Sequence, residues 1–424
     1  MKCFMPCIAE TKEEEESRTV KPNLATPSPS AFLDEHDLAS TSLNASDTTT
    51  STESSRSRNT QFPNSSKRSS DLRQFTFLEL KEATKKFSRS TKIGEGGFGS
   101  VYKGTIRSSE DPSRQVDVAI KQLNSTGNQG HKEWVTEVNV LGVVEHENLV
   151  QLIGYCAEDG ERGIQRLLVY EYMPNSSVDN HLSARSETTL SWATRLRIAR
   201  DAARGLAYLH EGMEFQIIFR DFKSANILLD EQWNAKLSDF GLARLGPSEG
   251  RSHVSTAVVG TLGYAAPEYI HTGHLSSKND VWSYGMFLYE LITGRRPLDR
   301  SRPKREQKLL EWVKQYISDP KKFQTIIDPR LKGEDVLGSA QKLSHVANRC
   351  LEKRPKLRPT MTEVLEMVTP IAEAPIGMDN SKRPIVVAEE EDTCRNGKRT
   401  IKPNKVLGGW LVRIASLKRP KTVI

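Results

Sequence analysis

The apolar pattern of this 424-residue chain changes period once, near Met173-Pro174-Asn175, and that change limits what it can fold into. Before it, strand-like runs fall at 91–93, 100–105, 116–123, 149–155 and 166–172, interrupted by one helical stretch at 131–144. After it, Trp192, Leu196, Ile198, Ala199, Ala202, Leu206 and Leu209 fall on one broad helical face. Further helices fit 278–293, 308–318, 337–350 and 361–367. The pattern predicts a five-strand sheet with one helix, suited to a small lobe, joined to a mainly helical large lobe. A short amphipathic helix with Phe77, Leu80, Ala83 and Phe87 leads into it.

The two ends differ from this middle. Residues 1–70 are rich in Ser, Thr, Asn and Pro, and their few apolar residues lack a period. Such a segment cannot bury enough surface to offset chain entropy, so it reads as disordered. It also explains why hydrophobic residues make up only 36% of the chain. The net charge of +7 belongs to the other end, where the last 32 residues hold nine Lys/Arg and no Asp/Glu, leaving −2 for all that precedes. Residues 373–424 read as a flexible basic tail, and the folded body carries no compositional case for nucleic-acid binding.

The five cysteines, Cys3, Cys7, Cys156, Cys350 and Cys394, form no CxxC and show no zinc-ligand spacing, which points to a reducing compartment. No apolar run approaches the roughly 20 residues of a membrane span. Glu13-Glu14-Glu15-Glu16 follows the start too soon for a signal-peptide core. The expectation is a soluble or peripherally attached protein.

Gly94, Gly96 and Gly99 form a GxGxxG loop followed by Val101. Glycines let backbone N–H groups approach phosphate oxygens without interference from a Cβ. Alone the pattern also fits a dinucleotide-binding turn, but here a strand follows and no helix opens. Val118-Ala119-Ile120-Lys121 then sets one lysine in an apolar strand, where it can bind phosphate and pair with an acid. Glu137, on the next helix, is the expected partner. The run from Phe219 to Asn226 and the triplet Asp239-Phe240-Gly241 add two carboxylates, a lysine and an amide. Their spacing is the one used to move a phosphoryl group to a hydroxyl. Asp221 can orient and accept the proton of the incoming hydroxyl, and Lys223 can steady the transferring group. Asn226 and Asp239 offer the hard oxygen donors that Mg²⁺ requires.

Each of these residues alone reads better as a solvated loop charge. They are followed by Gly260-Thr261-Leu262-Gly263-Tyr264-Ala265-Ala266-Pro267-Glu268, by Asp280-Val281-Trp282-Ser283-Tyr284-Gly285 and by Arg358. In that order the chain resembles a eukaryotic protein kinase over 87–372. Lys223 in Asp-x-Lys and Thr261 in Gly-Thr resemble the serine/threonine class. Phe75-Thr76-Phe77, Leu168-Val169-Tyr170-Glu171-Tyr172-Met173-Pro174-Asn175 and Ile217-Ile218-Phe219-Arg220-Asp221-Phe222-Lys223 resemble plant receptor-like cytoplasmic kinases of the Pelle/interleukin-receptor-associated branch. Gly130-His131-Lys132-Glu133-Trp134-Val135-Thr136-Glu137-Val138 and the start Met1-Lys2-Cys3-Phe4 resemble the group named for compromised pattern-triggered immunity.

The resemblance implies an α+β bilobal fold. Its small five-stranded antiparallel lobe would span about 87–173 and its helical large lobe about 174–372. It further implies dependence on ATP and Mg²⁺, protein substrates carrying Ser or Thr, and a place below plasma-membrane receptor kinases in plant immunity. Carried over residue by residue, it sets Ile93, Gly94, Gly96, Gly97, Phe98, Gly99 and Val101 over the nucleotide. Ala119 and Leu228 enclose the adenine, Tyr170 is the gatekeeper, and Glu171 and Met173 form the hinge contacts. Glu268 pairs with Arg358, and Asp280 anchors the catalytic loop.

Phe219 departs from the family, where His is usual. Phe keeps the packing, with Leu141, Leu152 and Phe240 as expected neighbours, and loses one polar contact near the metal-binding Asp. Conformational tuning is affected more than chemistry. A pseudokinase scaffold is the main rival reading, and degradation of Lys121, Asp221, Asn226 or Asp239 would favour it. All four are intact. An adaptor driven by the basic tail is the second rival, at most an added function.

Regulation and location complete the expectations. Arg220 and Arg244 face the activation segment as two cations, which a phosphate on Thr256 or Ser255 would bridge. Ser252 is a weaker candidate, and Thr261 is expected against Asp221 and Lys223. Lys2 stands where N-myristoylation needs Gly. Cys3 and Cys7 are the candidate S-acylation sites, and the basic tail adds attraction to an anionic membrane surface. This predicts a peripheral plasma-membrane protein on the cytoplasmic face, with a cytosolic or nuclear pool.

Overall fold

The computed structural model describes residues 72–374 except 97–98, 110, 125–127, 161–162 and 332–335. Cys3, Cys7, Gly97, Phe98 and the basic tail lie outside the described residues.

The small lobe is one sheet and one long helix. Its strands are β1 (Arg73–Gln74), β2 (Lys92–Gly96), β3 (Gly99–Arg107), β4 (Gln115–Leu123), β5 (Leu152–Cys156) and β6 (Leu167–Glu171), in the spatial order β1-β5-β6-β4-β3-β2. Period-two alternation gives β4 its two roles. Val118 and Ile120 are buried in a cluster with Phe75, Leu80, Ile106 and Val169, whereas Ala119 and Lys121 face the other way.

The sheet has six strands where the sequence pattern predicts five, and it is not wholly antiparallel. The extra strand, β1, pairs parallel with β5, setting Arg73 opposite Gly154. Two residues show no period, so the strand is invisible in the sequence. It forms because Phe75, 1% exposed, plugs the small core and Phe75 N donates to Tyr155 O. Helix α1 (Phe77–Ala83) follows, capped by the Thr76 side chain.

Helix α2 (Asn128–Leu141) begins three residues earlier than its apolar pattern suggests and ends three earlier. It is held to the sheet by Trp134, whose Nε1 donates to Leu167 O at 3.1 Å.

The large lobe is built on α3 (Val178–Leu182), α4 (Trp192–Glu211), α5 (Pro267–Thr272), α6 (Ser277–Thr293), α7 (Leu309–Val313), α8 (Pro320–Phe323), α9 (Leu337–Cys350) and α10 (Met361–Glu373). Helix α6 is buried on every side, including Asp280 and Glu290, and packs against α4 and α9. A helix enclosed all round is a core element, here with a few polar residues directed at the site. Helix α7 is shorter than the predicted 308–318. Only Leu309 and Val313 are buried, and the chain then tightens into turns. Helix α10 is longer than the predicted 361–367. It runs through Pro370 because Val368 and Ile371 are buried, and α10 packs on α4.

Candidate active site

Between the lobes lies a cleft of about 650 Å³. Strands β2 and β3 form its roof. A Cβ on Gly99 would stand 2.0 Å from Gln122 O, at a φ of +145° that favours glycine, so no larger residue fits there. Ile93, Gly94, Gly96, Val101 and Ala119 line the cleft from the small lobe, and Leu228 and Asn226 from the large lobe. Glu171 and Met173 line it where the lobes join. A second cleft, about 780 Å³, lies away from the glycine turn, against Leu72, Arg107 and Val144. None of the expected catalytic or metal-binding residues lines it.

One cation and two carboxylates meet at the back of the nucleotide-sized cleft. Lys121 Nζ stands 2.6 Å from Glu137 Oε1 and 2.7 Å from Asp239 Oδ1, joining β4, α2 and the large lobe. Burial alone would lower the pKa of the Lys121 ammonium, but the two carboxylates outweigh it and raise it. Burial pushes Asp239 up, yet Lys121 and then Lys223 hold it below the usual carboxylate range. Glu137 is fully enclosed, and burial raises its carboxyl against the pull of Lys121. The Tyr170 hydroxyl donates to Glu137 Oε2, a contact that sequence reasoning did not find. Nothing in local spacing could reveal it, since 33 residues separate the two.

On the large-lobe side, Lys223 Nζ lies 2.6 Å from Asp221 Oδ2 and 3.0 Å from Thr261 Oγ1, and Thr261 donates to Asp221 Oδ1 at 2.6 Å. Asn226 Nδ2 donates to Asp221 O at 3.0 Å, which leaves its amide oxygen as the donor for a hard cation. With the Asp239 carboxylate, this oxygen-donor set fits a divalent metal.

Asp280 of α6 holds the loop from below. Its carboxylate accepts from Phe219 N and Arg220 N, each at 2.8 Å, and lies 2.8 Å from His210 Nε2. Arg220 (φ +75°) and Asp239 (φ +68°) occupy the left-handed region. Non-glycine residues pay about 1–3 kcal/mol for such strain, which persists where the surroundings impose it. The Phe219 ring, 1% exposed, packs edge-on to Phe240 at 4.9 Å. A second buried acid, Glu290, accepts from Ser224 Oγ at 2.9 Å and from the Tyr264 hydroxyl. Burial pushes its carboxyl up to about 8.

The activation segment is docked by the same loop. Arg220 donates to Tyr269 Oη at 2.9 Å, to Thr256 Oγ1 at 3.1 Å and to Ala257 O. Ser255 lies in a short strand, Val254–Ser255, paired with His274–Leu275, and Ser252 Oγ is 3.1 Å from His253 Nδ1. Arg244 is exposed in the strand that pairs with Ile217–Ile218. Glu268 and Arg358 form a two-pronged pair at 2.6 and 2.8 Å.

A glycine-roofed cleft, a lysine bridging two acids and a strained loop anchored on a buried helix define a phosphoryl-transfer enzyme. The protein kinase domain model matches residues 87–368, and the chain belongs to the protein kinase family. It is similar to the serine/threonine-protein kinase PCRK1 of Arabidopsis thaliana, 59% identical over 100% of this chain and 99% of that one. It is also similar to PCRK2 of the same plant, 60% identical over 98% of each chain. An EPD1-interacting receptor-like cytoplasmic serine/threonine-protein kinase of Nicotiana benthamiana is 51% identical over 73% of this chain and 66% of that one. The chain is thus a serine/threonine protein kinase, which uses ATP with a divalent metal and acts on protein substrates. No helix among the described residues is long and apolar enough to cross a membrane.

Proposed function

We propose that this kinase relays signals from plasma-membrane receptor kinases in plant immunity, with Asp221 as the base that orients the substrate hydroxyl. The observation that carries the catalytic part is the Lys121 bridge between Glu137 and Asp239, 2.6 and 2.7 Å long, which joins both lobes at the cleft. Bound ATP with Mg²⁺ supplies the transferable phosphoryl group and the cation that neutralises it. Lys121 orients the phosphates, and Glu137 fixes Lys121. Asn226 and Asp239 would hold the metal. Lys223 and Thr261 keep the Asp221 carboxylate aimed at the acceptor. Ile93, Gly94, Gly96, Gly97, Phe98, Gly99 and Val101 cover the nucleotide, and Ala119, Leu228, Glu171 and Met173 receive its base.

The signalling part rests on the match to PCRK1 and PCRK2 over nearly the whole chain. Cys3 and Cys7 are acylated, and the basic tail adds attraction to the anionic leaflet. Phosphate on Thr256 or Ser255 draws Arg220 and Arg244 together and raises activity, with Ser252 a lesser site.

Incubation of the purified protein with ATP tests the catalytic part. Phosphoserine and phosphothreonine appear with Mg²⁺, vanish with chelator and return on re-addition. A folded, nucleotide-binding protein that transfers nothing would leave the scaffold reading instead. A Cys3→Ser/Cys7→Ser fluorescent fusion moves toward the cytosol; full retention at the membrane would make the tail the main anchor.

A further inference from the structure

Helix α3 forms the lip of the nucleotide cleft, which Ser177, Asp179 and Asn180 line. It is only five residues long, too short to be stable alone. Its N-terminus is closed by a capping box between Ser177 and Asn180. At its C-terminus Ser183 N donates back to Asp179 O and Ser186 N donates to Ser183 O, each at 3.0 Å, and the last carbonyls, His181 O, Leu182 O and Ser183 O, also meet a side chain from a distant segment.

Arg330 lies nearly 150 residues further on. Its Nη1 donates to His181 O at 3.2 Å and to Ser183 O at 3.0 Å, and its Nη2 donates to Leu182 O at 2.9 Å. One guanidinium thus closes the end of the helix, where a cation also suits the helix dipole. Arg330 is itself fixed by Asp328, with Nε at 3.1 Å from Oδ1 and Nη2 at 2.8 Å from Oδ2. Asp328 is in turn held by the fully buried Arg195, at 2.7 Å, and Asp328 N donates to Ile292 O at the end of α6. The space is closed: a Cβ on Gly294 would stand 2.3 Å from Asp328 Oδ2. A second tie reaches the same helix from outside. Arg296 donates to both oxygens of Asp179, at 3.1 and 2.8 Å.

We infer that Arg330, seated on Asp328 and Arg195, is a positioning residue that sets nucleotide affinity by holding α3 at the cleft. The inference rests on the reading of this cleft as the nucleotide site. A lip held in its binding-competent position costs the ligand nothing to order. A lip released from its clamp lowers apparent affinity by the fraction of time it is in place. Arg296 makes a smaller contribution, since its side chain is 60% exposed. The segment Asp328-Pro329-Arg330-Leu331 carries no catalytic group, and no local period marks it in the sequence.

The test uses the full chain, a fluorescent ADP analogue with Mg²⁺, steady-state kinetics and hydrogen exchange. Arg330→Ala should raise the Kd of the analogue and the KM for ATP about tenfold while kcat falls less than twofold, with faster exchange confined to 178–184. Arg330→Lys, which keeps the charge but not the fork, should recover part of the affinity. Arg296→Ala should raise Kd about twofold and keeps the assay informative if Arg330→Ala does not fold. Unchanged Kd despite faster exchange at 178–184 overturns the inference. So does a uniform rise in exchange across the large lobe with kcat falling as much as affinity, which marks a merely structural role. Failure of the wild-type protein to bind the analogue would instead overturn the nucleotide-site reading, and this inference with it.

Discussion

The two halves of the reaction centre are held by different physics. In the small lobe, Lys121 is positioned by carboxylates on two other elements, Glu137 of α2 and Asp239 of the large lobe. In the large lobe, the loop carrying Asp221 is pinned through its backbone by Asp280, a residue of the fully enclosed helix α6. The first arrangement exists only while three elements meet. The second is built into the core. The position of Lys121 therefore depends on how α2 and the large lobe meet, whereas the backbone of the loop carrying Asp221 is anchored from the core.

The largest effect is expected where this difference is sharpest. Lys121→Met or Asp239→Ala should lower phosphoryl transfer by about 10³-fold or more, because each removes a charge at the phosphates. Both variants should remain folded, since Asp239→Ala leaves the Lys121–Glu137 pair in place and the buried Glu137 carboxyl, already raised by burial, can take up a proton when Lys121 is removed. Turnover within tenfold of wild type in either variant would break the small-lobe half of the comparison.

Asp280→Asn should behave oppositely in stability. It replaces a buried carboxylate that accepts two backbone N–H groups and meets His210, and should cost about 2–3 kcal/mol in denaturant unfolding along with activity. Loss of activity with unchanged stability would show that the loop is not pinned through the core.

A pH-dependent effect on stability belongs to Glu290. Its folded carboxyl is raised from 4.5 to about 8. Folding therefore favours the protonated form, and this contribution is fully present below pH 4.5. It is lost as pH rises toward 8, because the unfolded chain releases its proton first. Glu290→Gln, which stays neutral, should flatten the fall in stability between about pH 5 and 8. An unchanged slope would mean that another group titrates there.

Phe219→His should have the least effect. It alters the packing on Phe240 at 4.9 Å, and activity should remain within about threefold with a stability cost near 1.5 kcal/mol. A tenfold loss of activity would show that the aromatic column does more than pack.

What was legible in the sequence follows the same division. Polar residues in fixed local spacing, such as Asp221, Lys223 and Asn226, stood out because their order alone constrains the chemistry. The strand alternation that buries Val118 and Ile120 and turns Lys121 to the cleft was legible too. The pairs Lys121–Glu137 and Glu268–Arg358 and the place of Thr261 beside Asp221 followed from the motifs, but contacts outside the motifs did not. The Tyr170 bond to Glu137, the Arg330 clamp on α3 and the parallel strand Arg73–Gln74 depend on how separate segments meet, and no local period announces them. Helix α10 ran past the predicted end because burial of Val368 and Ile371 outweighed the cost of Pro370.

Phosphoryl transfer should depend most directly on Asp221. Single-turnover transfer from radiolabelled ATP at saturating nucleotide and Mg²⁺ isolates the chemical step from binding. The full-length wild-type protein should label its own serines and threonines, and Asp221→Asn should bind the nucleotide equally well yet transfer at least about 10²-fold more slowly. Equal transfer rates in the two proteins, or none in the wild type, would contradict it.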